Sequence, residues 1–192
     1  MEYGLILLRA AVGVALMVHG SQKLFGSFGG GGPDGTRKFF AGLGFRTPLA
    51  MAFIAGASEL GGGLLFGLGL FTPFAALGLA VVMLNAIATV HWKKGYFNSA
   101  GGYEYNLLII ATVLAVTAAT PGRFSLDHAF GWDGTTSGPW WALAVAVLAP
   151  VITLVTLTLG RRRAAQPPPA TVQAPPTPLP ADTRKERQWT SV

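Results

Sequence analysis

The sequence predicts an all-α integral membrane protein, and three observations predict it. Only 11% of its 192 residues are charged and 51% are hydrophobic, whereas roughly a quarter of a soluble domain is charged. The apolar residues gather in runs of about 20, the length that crosses a hydrocarbon core. No water serves the backbone there, so each run must close its own hydrogen bonds as a helix.

The first run, Tyr3–Ser21, begins in "MEYGLILLRAA", which has no basic leader region and no small-residue cleavage site. It is expected to be a retained helix and not a removed signal. The stretch "GSFGGGGPDG", Gly26–Gly35, is expected to be a flexible connector. It lacks the Gly-Lys-Ser/Thr ending of a phosphate-binding loop. In "TRKFFAGLGF" the residues Phe39, Phe40, Leu43 and Phe45 recur at helical spacing beside Arg37 and Lys38. That pattern predicts a short helix lying on the inner leaflet, with an ordinary connecting loop as the alternative.

The second and third spans, Pro48–Leu70 and Pro73–His91, are joined by a tight Phe71-Thr72-Pro73 turn. Glu104–Thr120 and Trp140–Leu159 complete five predicted spans. Trp92, Tyr96, Tyr103, Tyr105, Trp140 and Trp141 fall at segment ends, where amphipathic rings prefer the headgroup region. From about Ala164 the text becomes "AAQPPPATVQAPPTPLPADTRKERQWTSV", with too little apolar surface to bury. A disordered tail is expected there, whose prolines could dock a polyproline reader.

The net charge of +6 does not point to nucleic acid, because the cations lie between and after the apolar segments. Five alternating spans place Lys23, Arg37, Lys38, Arg46, Lys93, Lys94, Arg161, Arg162, Arg163, Arg184, Lys185 and Arg187 on one side. Arg123 stands alone on the other. The positive-inside rule then predicts a multi-pass protein of the cell membrane with its N-terminus outside and its C-terminus cytoplasmic. The absence of cysteine removes disulfides, thiolate zinc sites, iron–sulfur clusters and thiol relays carried by this chain.

Two charges lie well inside the first two predicted spans: Arg9 and Glu59. A lone charge in lipid costs several kcal/mol, so the sequence predicts that they pair; the alternative is that Arg9 snorkels to the outer headgroups while Glu59 is protonated. Ala52, Ala55, Gly56, Gly62 and Gly63 flank Glu59 at spacings that let helices approach closely. A similar small-residue series, Ala111, Ala115, Ala118 and Ala119, suggests close packing of the fourth span.

A second polar group gathers at the predicted inner ends of the helices. It comprises His19, Gln22 and Lys23, then Asn85 and His91, then Glu104, Tyr105 and Asn106. Imidazoles, a carboxylate and amides can bind a quinone-type carbonyl or relay a proton to it. The plain alternative is that helix ends are polar because headgroups and water are there. Haem between His19 and His91 is disfavoured, since both sit at helix ends and nothing else supports it. A metal held by these two histidines and Glu104 is disfavoured too.

At these residues the chain resembles the DoxX family of membrane proteins. The resemblance rests on an arginine in the first helix followed by "HGSQKLFG", then "FFAGLGF" and "ASELGGGLLFGLGLFTPFAAL". It continues through "VHWKKGYF", "EYNLLII" and "TPGRFSLDH", covering about residues 4–128. It implies a compact four-helix membrane bundle for residues 1–128. The chain departs from that pattern in residues 129–160, a loop and fifth transmembrane helix, and in the basic, proline-rich tail 161–192. The family is described as oxidoreductase components, named after a subunit linked to quinone reduction during sulfur-compound oxidation. The resemblance carries over Arg9, His19, Lys23, Glu59, His91 and Glu104.

The favoured reading is an accessory subunit that binds a quinone or lipid-like substrate near the inner leaflet and works with a soluble redox partner or as a homo-oligomer. No redox cofactor motif stands in the chain. The alternative is a non-enzymatic scaffold, assembly factor or cargo-binding module. A small-solute transporter is disfavoured, because five spans give no matched halves.

Overall fold

The computed structural model describes residues 2–162. The tail expected from residue 164, with its polyproline docking, lies outside the described residues. The described chain is helical: α1 (Glu2–Phe25), α2 (Gly32–Gly42), α3 (Pro48–Leu68), α4 (Thr72–Ala86), α5 (Glu104–Ala119), the short α6 (Leu126–Ala129) and α7 (Asp133–Thr136), and α8 (Pro139–Gly160). The α4 axis continues through a π-helical turn, Ile87–His91, and a 3-10 turn to Lys94.

Local chemistry sets these boundaries. Pro48, Pro73 and Pro139 stand in the first turns of α3, α4 and α8, where the missing N–H costs nothing. Gly69, left-handed at φ 63, ends α3. Pro121 follows Thr120 and ends α5, because proline cannot continue a helix.

Four helices are long and apolar enough to cross a membrane: Glu2–Phe25, Pro48–Leu68, Thr72–Lys94 and Pro139–Gly160. The expected span over 104–120 forms a helix of only 16 residues, about 24 Å at 1.5 Å per residue. It falls short of the length that crosses lipid unaided. The described residues thus carry four such spans where the sequence predicts five. The connector of 26–35 is also more ordered than expected. It holds a 3-10 turn at Ser27–Gly29, and α2 starts within it at Gly32, four residues before the predicted helical stretch.

The core is drawn from α1, α3, α4, α5 and α8. Leu16, Phe66, Leu79, Val113, Val116 and Val145 are fully or nearly fully buried in it. The outer surface is apolar as well, with Leu7, Phe53, Ile54, Leu108, Val147 and Leu154 exposed. Apolar side chains inside and out fit a bundle whose solvent is lipid. Ala111, Ala115 and Ala119 belong to that exposed surface. The buried face of α5 is instead Asn106, Ile109, Val113, Val116 and Thr117.

The closest pairing is α1 against α3, antiparallel. Gly13 meets Gly63 and Gly67, and Gly20 meets Gly56 and Leu60. A Cβ at Gly13 would stand 2.6 Å from the Gly63 carbonyl oxygen and 3.0 Å from Gly67 Cα. Backbone cannot rotate away, so Gly13→Ala should push the helices apart and cost about 1–3 kcal/mol. Gly4→Ala, with nothing within 4 Å, is the control. Equal thermal unfolding of the two variants in detergent would contradict this packing.

The bundle has two polar ends. At one lie the start of α1, the α3–α4 turn, the end of α5 and the 121–138 segment. At the other lie the end of α1, α2, the 92–103 segment and the end of α8. There Arg46 N–H donates to the Gly160 carbonyl (2.8 Å) and Arg162 N–H to that of Gly44 (2.9 Å).

Candidate functional site

Helix register decides which charges meet. Gly13 opposite Gly63 and Gly20 opposite Gly56 and Leu60 put Glu59 level with residue 19 of α1. Arg9 is then about 15 Å away along the axis, and Lys23 only about 6 Å. Glu59 accordingly forms its ion pair with Lys23 Nζ. The predicted Arg9–Glu59 pair does not exist, because no side chain of arginine's length spans that offset.

Arg9 finds other partners. Its guanidinium donates to the carbonyls of Pro121, Phe124 (2.9 Å) and Gly67 (3.2 Å). The buried carboxylate of Asp127 lies within its electrostatic reach. Asp127 accepts the N–H groups of Phe71 (2.9 Å) and Thr72 (3.0 Å) and the Thr72 hydroxyl (2.7 Å). It therefore caps α4 across a gap of 55 residues in sequence. Every group in this cluster is engaged, so it serves as a latch joining α1, α3, α4 and the segment after α5. On the neighbouring exposed segment, His128 hydrogen-bonds Asp133 at 2.7 Å and holds that carboxyl below the usual carboxylate range.

The opposite end holds a cavity of about 440 Å³. Its polar wall is His19, Lys23, Ser58, Glu59, Asn85, His91 and Asn106, among others; its apolar wall includes Leu16, Ile54, Val82 and Met83. Phe39, Phe40 and Leu43 of α2, with Phe45, close one side. Phe40 meets Phe45 edge to face with centroids 5.4 Å apart. The helical spacing of these residues therefore serves the cavity, beyond the membrane surface contact that the sequence suggests. The Lys23–Glu59 pair sits in this wall, with Glu59 only 4% exposed.

Of the predicted ligand residues, His19, Lys23, Asn85 and His91 line the cavity. Gln22 and Glu104 stand outside its wall: Gln22 donates to the Phe28 carbonyl (3.2 Å), and Glu104 accepts the Asn98 N–H (3.0 Å). His91 Nδ1 is 2.6 Å from the Gly101 carbonyl, which orients the ring. His19, His91 and Glu104 are not gathered as a ligand set, and no metal-binding group of three occurs among the described residues.

The arrangement has a polar corner in an apolar chamber, suited to an amphipathic molecule. The DoxX family model matches residues 4–92, from the first turn of α1 to Trp92, just past the π-turn. A protein of Bacillus subtilis (strain 168) named "Putative oxidoreductase CatD" is 34% identical over 137 residues, 71% of this chain and 93% of that protein. The chain belongs to the DoxX family. No solved structure matches it.

In this DoxX protein the family match spans Arg9, His19, Lys23, Glu59, Asn85 and His91. Sequence reasoning missed Asp127 and Ser58. Asp127 had one legible signal, a carboxylate in a chain with few, following an apolar run. Its target N–H groups lie two helices earlier, where local spacing shows nothing.

Proposed function

We propose that this DoxX protein is an accessory subunit of a membrane-associated oxidoreductase system, binding a quinone or lipid-like molecule in the cavity beside Lys23 and Glu59. One observation carries the reading: a chamber with mostly apolar walls carries the Lys23–Glu59 ion pair, three asparagine amides and two imidazoles in its wall. A quinone head group needs such polar contacts, and its tail needs the apolar remainder.

The topology that goes with it has five crossings. Helix α5 runs from Glu104, near the Lys23 end, to Ala119, and the Thr117 carbonyl in its last turn accepts the Gly138 N–H at 2.8 Å. Neighbouring helices cover one face of it, so its 16 residues need less lipid-facing length than an isolated span. The basic residues then collect on the cytoplasmic side, with the cavity near the inner leaflet.

Extraction of the purified protein, followed by absorbance and chromatography, tests this. Bound quinone or lipid is expected, and Ala55→Trp, filling the cavity from α3, should lower its recovery at least tenfold while the fold persists. A preparation that carries no such ligand and takes up none when supplied would overturn the reading. It would favour a scaffold, for which the closed Arg9–Asp127 latch is sufficient.

A further inference from the structure

A single antiparallel bridge, Phe45 opposite Arg161, joins the α2–α3 connection to the end of α8. Its two hydrogen bonds, from Arg46 N–H to Gly160 and from Arg162 N–H to Gly44, fix the register. We infer that Arg46 and Arg162 form a binding site for the phosphate of an anionic phospholipid. This site is independent of what the cavity holds.

Side chains alternate across an extended backbone. Phe45 and Arg161 therefore share one face of the bridge, and Arg46 and Arg162 share the other. On the first face Phe45 is buried and lines the cavity, while Arg161 Nε donates to the Leu43 carbonyl at 2.9 Å. On the second face both arginines are exposed. They are diagonal neighbours there, about 7–8 Å apart and within reach of each other's long side chains. The residues across the bridge from them are Gly160 and Gly44, so bare backbone lies between the two guanidinium groups.

Arginine keeps its proton in proteins, so two neighbouring guanidinium groups repel. Among the described residues neither has a carboxylate within ion-pair distance. A phosphate seated between them turns that repulsion into two charge-assisted contacts, and the planar guanidinium fork matches phosphate oxygens. The depth is right for a lipid. Helix α8 ends at Gly160 and α3 begins at Pro48, so each arginine stands two residues beyond a helix long and apolar enough to cross the membrane. Arg37, Lys38, Lys93 and Lys94 lie at the same end, where Asp34 is paired with Arg37 and Glu104 accepts the Asn98 N–H. That excess of cations favours a headgroup of net negative charge over a zwitterionic one.

The full chain in nanodiscs tests the site. Discs of phosphatidylcholine alone are compared with discs of three parts phosphatidylcholine to one of phosphatidylglycerol. In the mixed discs, native mass spectrometry should find phosphatidylglycerol retained on the protein at least tenfold above its share, and thermal unfolding should move up by several degrees. Arg46→Gln with Arg162→Gln should abolish both effects and unfold like the unaltered protein in pure phosphatidylcholine. Arg162→Gln alone should weaken both, which keeps the test available where the double variant fails to fold. Lys93→Gln with Lys94→Gln removes the same charge from the same end and should leave both effects in place. An equal loss in the lysine variant would mean diffuse attraction and would overturn the inference. No retention of phosphatidylglycerol by the unaltered protein would overturn it too, as would the same thermal shift from inorganic phosphate added to pure phosphatidylcholine discs.

Discussion

Lys23→Met is expected to destabilise the folded protein by about 3–5 kcal/mol, the cost of leaving one member of a buried ion pair without the other. Glu59 is the member left behind. It is 4% exposed, in the middle of α3, and Lys23 Nζ is its ion-pair partner. Lysine reaches it because the two residues lie only about 6 Å apart along the helix axes, within the span of its four-carbon stem. Methionine fills the stem's volume and supplies no charge. The double variant Lys23→Met with Glu59→Met should recover most of the loss, since replacing a whole buried pair with apolar groups is often neutral or stabilising. Denaturant unfolding in mixed micelles measures both. A double variant as unstable as the single one would show that the two charges do not depend on each other.

Asp127→Ala is expected to cost about 3 kcal/mol or more, since three donors lose one carboxylate. The Phe71 and Thr72 N–H groups and the Thr72 hydroxyl all end on it. These N–H groups open α4, so the helix also loses its cap. Phe71 is held at φ 47, an uncommon conformation for a bulky residue that only its surroundings can enforce. Arg9 would lose the favourable charge of the Asp127 carboxylate while keeping its three carbonyls. Asp127→Asn, retaining one acceptor, should lose about half as much. Asp34→Ala is the comparison, because that side chain is 87% exposed. Thermal unfolding indistinguishable between Asp127→Ala and Asp34→Ala would refute the cap.

Much of the site was legible before folding, and the pattern of what was not has one cause. His19, Lys23, Asn85 and His91 stand out because polar groups are rare in this chain, and all four reach the cavity. Gln22 and Glu104 stand out equally and do not, since position along a helix says little about which way a side chain at its end turns. The cavity's closing side, Phe39, Phe40, Leu43 and Phe45, was readable as a helical pattern but not as a wall.

Transfer from water to lipid is a property of each residue and its near neighbours, so the sequence by itself determined that the chain is helical and membrane-embedded, and which charges are costly. The choice of partner is a property of two helices at once. It depends on the offset at which they lock, and here Gly13, Gly20, Gly56 and Gly63 set that offset by allowing backbone to meet backbone. Only the tertiary structure could therefore decide that Glu59 belongs to Lys23, and that Arg9 belongs to three carbonyls and the neighbourhood of Asp127. A shift of two turns along α1 would have reversed the first of these assignments, and no local pattern in the sequence encodes those two turns.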